Sequence, residues 1–402
     1  MISTLSNQKS KFHTVAVLLS ILTLFLAQAS WAETQDNNPA QHPVVSEADQ
    51  RMPQPRIQLA ILLDTSNSMD GLIDQARNQL WRIVDEFSKA RREGVPALLE
   101  VAIFEYGNDS LDAEKGYIRK VTDLTSDLDR VSEALFSLTT NGGKEYCGHA
   151  IMSATDQLQW SVSDNEIKAI FIAGNEPFTQ GPIAYRHAIE AAKASGITVN
   201  TIHAGSHEEG LQTGWNHGAL LAGGDYMSID HNRRIAHITA PQDRRIAALN
   251  RELNQTYIPY GSKGKAGKER QLEQDMNSNS VSPALLSKRT KSKAGALYNN
   301  SQWDLIDAIQ EDKVNLEHLG ANELPTEMSD MDMEQRERYI SAKAAQRTNI
   351  KKEIADLSKA REAYVTEQRL KAANQDTTTL NDALTSSIRK QGKAKNYQFL
   401  EN

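Results

Sequence analysis

Asp64, Ser66 and Ser68 stand at every second position of the stretch Asp64-Thr65-Ser66-Asn67-Ser68, one carboxylate followed by two hydroxyls. Oxygen donors alone suit a hard divalent cation, Mg²⁺ first and Ca²⁺ or Mn²⁺ as alternatives, rather than zinc. The same residue types also cap helices, so the triplet needs further donors to become a site. Two other stretches offer them. Gly142-Gly143-Lys144-Glu145 follows a turn and brings a carboxylate to the start of a helix, and Gly174-Asn175-Glu176-Pro177 follows an apolar run. Taken singly, Glu145 is a first-turn acid facing a helix dipole and Asn175 a turn residue. Three loops carrying oxygen donors in one domain favour a cation site.

The elements that position them are legible from the apolar pattern. Residues 57–63 are apolar with almost no alternation and read as a central strand covered on both faces. Asp64 sits at its C-terminal end, where open α/β sheets place their ligands. Leu72, Ile73, Ala76, Leu80, Ile83, Val84 and Phe87 recur at helical spacing behind it. Further strands are expected at 98–106, 116–121, 167–173, 197–203 and 226–229. Helices are expected at 127–138, 147–160, 182–194, 211–221 and 246–253. Strands separated by helices specify a doubly wound, mostly parallel sheet flanked by helices, with at most one antiparallel edge.

Here the chain resembles the von Willebrand factor type A domain family. Asp64-Thr65-Ser66-Asn67-Ser68 matches its Asp-x-Ser-x-Ser signature, the first loop of the metal-ion-dependent adhesion site. The resemblance covers roughly half the chain. It implies a Rossmann-like fold and a cation that accepts an Asp or Glu from a partner protein. In the family the second loop gives a Thr or, in some branches, an acid, which makes Glu145 the candidate here with Thr139 or Thr140 as fallback. The third loop usually carries Asp, and this chain has Asn175. The stretches 105–109, 143–148 and 173–178 look like a branch of exported bacterial proteins with such domains.

The 402 residues suggest more than one unit. Lys9 and Lys11 precede an apolar run at 15–27, and Ser30-Trp31-Ala32 supplies small residues before a cut. This predicts a signal peptide over 1–32, hence a periplasmic or secreted protein. The apolar run is shorter than the ~20 residues a membrane span needs, and no later segment provides an anchor. Residues 33–55 are polar and read as a disordered leader. The domain is expected over 56–260, a polar linker over 261–300, and a helical C-terminal region over 301–402. Within that region Ile350, Ile354, Leu357 and Tyr364 share a face, interrupted by Arg361. Leu380, Ala383, Leu384 and Ile388 form a last amphipathic stretch.

The formal net charge is −7, and the residues removed with the signal peptide carry two lysines and no acid. Nucleic acid is therefore not the expected partner. Cys147 is the only cysteine, so the fold holds without an internal disulfide. For an enzyme, His203, His207 and His217 lack the zinc-protease spacing, and no nucleophile elbow or phosphate loop is present. The expectation is a non-enzymatic, cation-dependent protein-binding module. Two alternatives stand beside it: a scaffold binding through its helical tail, and a metal-dependent hydrolase.

Overall fold

The computed structural model describes residues 54–232, 237–371 and 380–400. The segments expected as a signal peptide, 1–32, and as a leader, 33–55, lie outside them except for residues 54 and 55. From Pro53 onward the chain forms one compact unit.

In chain order the strands and helices are β1 (Arg56–Asp64), α1 (Asp70–Phe87), β2 (Ala90–Arg92), β3 (Val95–Pro96), β4 (Leu98–Tyr106), β5 (Ile118–Thr125), α2 (Leu128–Ser137), α3 (Cys147–Gln157), β6 (Ile167–Gly174), α4 (Tyr185–Ala194), β7 (Thr198–His203), α5 (His207–Gln212), α6 (Trp215–Ala222), β8 (Tyr226–Ser228), α7 (Asp243–Asn254), α8 (Gly264–Val281), α9 (Pro283–Ala294), α10 (Leu305–Gln310), α11 (Met333–Lys371), α12 (Leu380–Ala394) and β9 (Tyr397–Phe399). The main sheet has the order β5-β4-β1-β6-β7-β8. Every neighbouring pair in it is parallel except β4 with β5. The doubly wound sheet with one antiparallel edge is thus as expected.

Alternate residues of β1 serve different cores. Ile57, Leu59, Ile61 and Leu63 pack with α1, α7, α9 and α12, whereas Ala60 and Leu62 pack with α3, α4 and α6. Burial on both faces explains why the strand reads as a continuous apolar run. Its carboxyl end delivers Asp64 beside β4 on one side and β6 on the other.

The region expected as a polar linker, 261–300, is instead two helices, α8 and α9, packed on the domain. The physical reason lies in what they bury. Gln271, Gln274, Asp275 and Ser278 of α8 are buried, and α9 buries Arg289, Thr290 and Lys293 beyond an apolar start at Ala284, Leu285 and Leu286, so no continuous apolar stripe marks either helix. The basic residues Lys288, Arg289, Lys291 and Lys293 are accordingly part of a packed helix and not a solvated cluster. Arg289 is fully buried, bonding Asp129 at 2.7 Å, Asp275 at 2.6 Å and the Gln271 carbonyl at 3.0 Å, with its guanidinium 4.8 Å from the Trp81 ring.

Other differences are local. The helix expected at 211–221 is two, broken at Gly214, whose φ of 94 suits glycine. Arg361, expected to interrupt the face of α11, continues its buried side by pairing with Asp243 at 2.5 Å. The short strands β3, β2 and β9 form a second sheet not expected from the sequence, in which the chain's end pairs with β2.

The amphipathic stretch of α12 packs on α1, β6 and β7, and Leu380, Ala383, Leu384 and Ile388 are buried in the core. Ile388 is 0% exposed. Its replacement by alanine leaves a cavity as well as losing apolar burial, and should cost ~2–5 kcal/mol. Urea unfolding followed by circular dichroism measures that loss.

Candidate metal centre

The first loop begins as a tight turn in which the Ser66 amide donates to Asp64 Oδ1 at 2.8 Å. Such local bonds are what Asp offers a turn. Asn67–Met69 then forms a 3-10 turn that leads into α1. The second loop is stitched to the first by backbone. The Asn67 amide donates to the Gly142 carbonyl at 2.9 Å, and the Asn141 amide to the Thr65 carbonyl at 3.0 Å. The Gly142 amide returns a bond to Asn67 Oδ1 at 3.2 Å. In the third loop, Asn175 Nδ2 donates to Ser68 Oγ at 3.3 Å.

All five predicted residues are therefore gathered at one end of the sheet. Asp64 is 0%, Ser66 3% and Glu145 4% exposed, while Ser68 is open to solvent. Glycines make the room. A Cβ on Gly107 would lie 2.6 Å from Glu145 Cγ and 2.9 Å from Asp64 Oδ1, and one on Gly174 would lie 3.1 Å from Asp64 Oδ2.

The polar atoms left over decide what the site can do. Asp64 Oδ2, Ser66 Oγ, Glu145 Oε2 and Asn175 Oδ1 are buried and have no hydrogen-bond partner. Buried oxygens without partners are costly, and a cation reached by these three loops would satisfy them together. Burial, with the Glu145 charge beside it, pushes the Asp64 carboxyl well above the ordinary carboxylate range. Burial raises Glu145 as well. Two carboxylates, one hydroxyl and one amide oxygen fit a hard divalent cation. Among the described residues no group of three or more His, Cys, Asp or Glu could hold a metal ion. The hydroxyl and amide oxygens must complete any site here.

The fallback Thr140 is engaged elsewhere, its hydroxyl donating to Asp70 Oδ1 at 2.5 Å. Asp74 pairs with Arg77 at 3.3 Å. Sequence reasoning passed over Asn108, which is 3% exposed and ties the loop after β4 to the second loop through a 2.8 Å bond to the Thr139 carbonyl. It also passed over Glu105, 2% exposed, which accepts from Thr65 Oγ1 at 3.4 Å and pairs with Arg119. The only signal for either was membership of the stretch 105–109.

The histidines serve structure. His203 is buried between two carbonyls, His217 bonds Tyr185 at 2.8 Å, and His207 stacks beside Tyr226. Cys147 is 1% exposed, 3.8 Å from the Tyr106 hydroxyl, and burial pushes its thiol well up, the opposite of activation.

Residues 58–213 match the family model described as the von Willebrand factor type A domain. No curated protein matches the chain significantly. Among solved structures, proximal thread matrix protein 1 of the mussel byssus, with a zinc-occupied MIDAS motif, is 14% identical, covering 44% of this chain and 42% of that one at a TM-score of 0.32. This chain thus spans less than half the length of the mussel protein. BatB from Bacteroides thetaiotaomicron is 18% identical, covering 43% of this chain and 90% of that one at a TM-score of 0.33. An aerotolerance-related membrane protein from Bacteroides fragilis, crystallised with multiple mutations to serines, is 18% identical, covering 43% and 92% at 0.32.

Proposed function

We propose that this protein, whose residues 58–213 match the von Willebrand factor type A domain model, is a cation-dependent protein-binding module in a bacterial envelope, periplasmic or secreted. Asp64, Ser66, Ser68, Glu145 and Asn175 hold a divalent cation, Mg²⁺ first, and an Asp or Glu of a partner protein completes the coordination shell. The observation that carries this reading is the set of four buried oxygens without hydrogen-bond partners, drawn from three loops.

The cation supplies a positive charge and an open coordination position that a carboxylate can take. The remaining chemistry belongs to this chain. Asp64 and Glu145 provide the negative charge, Ser66 and Ser68 orient neutral oxygens, and Asn175 contributes an amide oxygen in place of the family's usual acid. The acid has in effect moved from the third loop to the second, which keeps two carboxylates. The loops around 107–116, 139–148 and 174–182 frame the contact surface.

Envelope location is supported by the residues before the domain, with their lysines, apolar run and small residues. No helix among the described residues is long and apolar enough to cross a membrane. The tail reading has less support, because the apolar residues of α12 are spent on the domain's own core.

Calorimetric titration of Mg²⁺, Ca²⁺ and Mn²⁺ into metal-stripped protein tests the site. Saturable binding at one site is expected, with loss in the Ser66→Ala, Ser68→Ala double variant. Equal binding by the two proteins, or none by either, removes the reading.

A further inference from the structure

Two of three consecutive carbonyls of the third loop accept hydrogen bonds from outside it, and the one between them faces a ring nitrogen of His203. The Gly174 carbonyl accepts from the Ala204 amide at 2.8 Å, an extension of the ladder between β6 and β7. The next two face side chains. His203 Nε2 lies 3.2 Å from the Asn175 carbonyl oxygen, and Trp215 Nε1 donates to the Glu176 carbonyl at 2.9 Å.

Both rings are built into the fold. His203 and Trp215 are each 0% exposed, with ring centroids 5.8 Å apart. His203 Nδ1 lies 3.1 Å from the Ser206 carbonyl oxygen, so its ring spans two loops. A Cβ on Gly205 would lie 2.6 Å from His203 Cε1, and one on Gly210 2.9 Å from His203 Cβ, so glycines on two sides make room for this imidazole. Trp215 is held by its own backbone, whose carbonyl accepts from the buried Thr201 hydroxyl at 2.8 Å. Its ring packs on Phe178 of the same loop at 4.9 Å between centroids.

The loop so held carries Asn175 where the resembled family usually has Asp, with the exposed Glu176 next to it. An Asp there would be drawn to a cation by charge, whereas an amide oxygen depends on being in place beforehand. Asn175 has its Nδ2 spent on Ser68 and its Oδ1 free and buried. The carbonyls of Asn175 and Glu176 face the rings and the Glu176 carboxylate accepts from Gln180 Nε2 at 3.1 Å, so the Asn175 amide oxygen is the loop's buried oxygen without a partner.

We infer that His203 and Trp215 are positioning residues of the metal centre, clamping Asn175-Glu176 so that a neutral oxygen stands ready beside Asp64 and Glu145. This rests on the reading of the site as a cation site, and the clamp has a signature of its own in metal-free protein. Trp215→Phe keeps an aromatic ring in the Phe178 contact and removes the N–H together with the ring atoms that carry it. His203→Phe keeps a ring at the other clamp but removes both of its nitrogens, and serves if the first variant fails to fold.

The experiment is hydrogen exchange of the loop amides in metal-free protein, followed by Mn²⁺ titration with electron paramagnetic resonance. The clamp predicts faster exchange at residues 174–178 in Trp215→Phe, with the rest of the sheet unchanged. It also predicts Mn²⁺ affinity lower by ~10-fold or more, the scale on which outer-shell partners act, and an altered Mn²⁺ line shape. Adding Asn175→Asp to Trp215→Phe should recover most of that affinity, because a charged ligand needs less preorganisation. Unchanged exchange, or unchanged Mn²⁺ affinity in a folded variant, overturns the clamp. Faster loop exchange with no Mn²⁺ binding even by the parent protein overturns the cation reading and, with it, the positioning role.

Discussion

Replacing Arg289 by alanine should destabilise this protein by ~3–5 kcal/mol, the range for removing one partner of a buried ion pair. The guanidinium is fully buried and bridges α2 to α8 through Asp129 and Asp275, both themselves buried. Without it, Asp129 keeps only the Tyr298 hydroxyl at 2.5 Å, and Asp275 keeps Lys293 at 2.8 Å with Asn250 and Asn254. Arg289→Met should cost less than Arg289→Ala, because its length refills part of the space over Trp81. The loss also carries a pH signature. Burial alone would raise Asp275, but Lys293 and Arg289 beside it hold its carboxyl well below the ordinary range. A depressed carboxyl contributes stability that is full above its unfolded pKa of ~3.9 and is lost as the pH falls toward the folded value. Parent protein should therefore lose stability steeply below about pH 4, and Asp275→Asn should flatten that slope. Urea midpoints across a pH series measure both effects. A loss under ~1 kcal/mol for Arg289→Ala would mean that the helices after the sheet are not held by this network.

Glu145→Gln is expected to change stability and binding in opposite directions. Asp64 and Glu145 are 0% and 4% exposed, each with an oxygen lacking a partner, and the ion pairs seen among the described residues give neither of them a Lys or Arg. Two like charges so placed repel each other and cost desolvation, which is why burial and the neighbouring acid raise the Asp64 carboxyl. Removing one charge at neutral pH in chelator should raise stability by ~1–3 kcal/mol. The same change should remove most of the divalent-cation affinity, since one of two charged donors is gone. In parent protein a saturating cation should raise the melting temperature, and in Glu145→Gln it should do so little or not at all. Differential scanning calorimetry with and without Mg²⁺ reads both. If Glu145→Gln melts lower than the parent in chelator, the acid is making stabilising contacts and the charge argument falls.

The two results bear on different parts of the chain that differ in how far the sequence reveals them. β1, β4 and β6 announced themselves because strands buried on both faces need apolar residues at nearly every position. α1 and α12 did so because each buries one apolar face. α8 did not, because its buried positions are Gln271, Gln274, Asp275 and Ser278. A helix that packs through hydrogen bonds and ion pairs looks, residue by residue, like one that faces water. Arg361 misled for the same reason, since nothing near it in sequence indicates Asp243, which lies 118 positions away.

The candidate metal centre divides in the same way. Asp64, Ser66 and Ser68 were legible from spacing after a strand, and Glu145 and Asn175 from their places at other loop starts. Gly107, Asn108, His203 and Trp215 were not read as parts of one site. The sequence by itself determined the strands and helices of the main sheet layer that carry an apolar pattern, and which loops carry oxygen donors, because apolar periodicity records locally how each side chain partitions against water. Only the tertiary structure decided which of those oxygens share a space without hydrogen-bond partners, which carbonyls two buried rings hold back, and which charged helices are interior. Those outcomes depend on pairings across long separations, such as Arg289 with Asp129 at 160 positions, where distance in space and not order in the chain sets the energy.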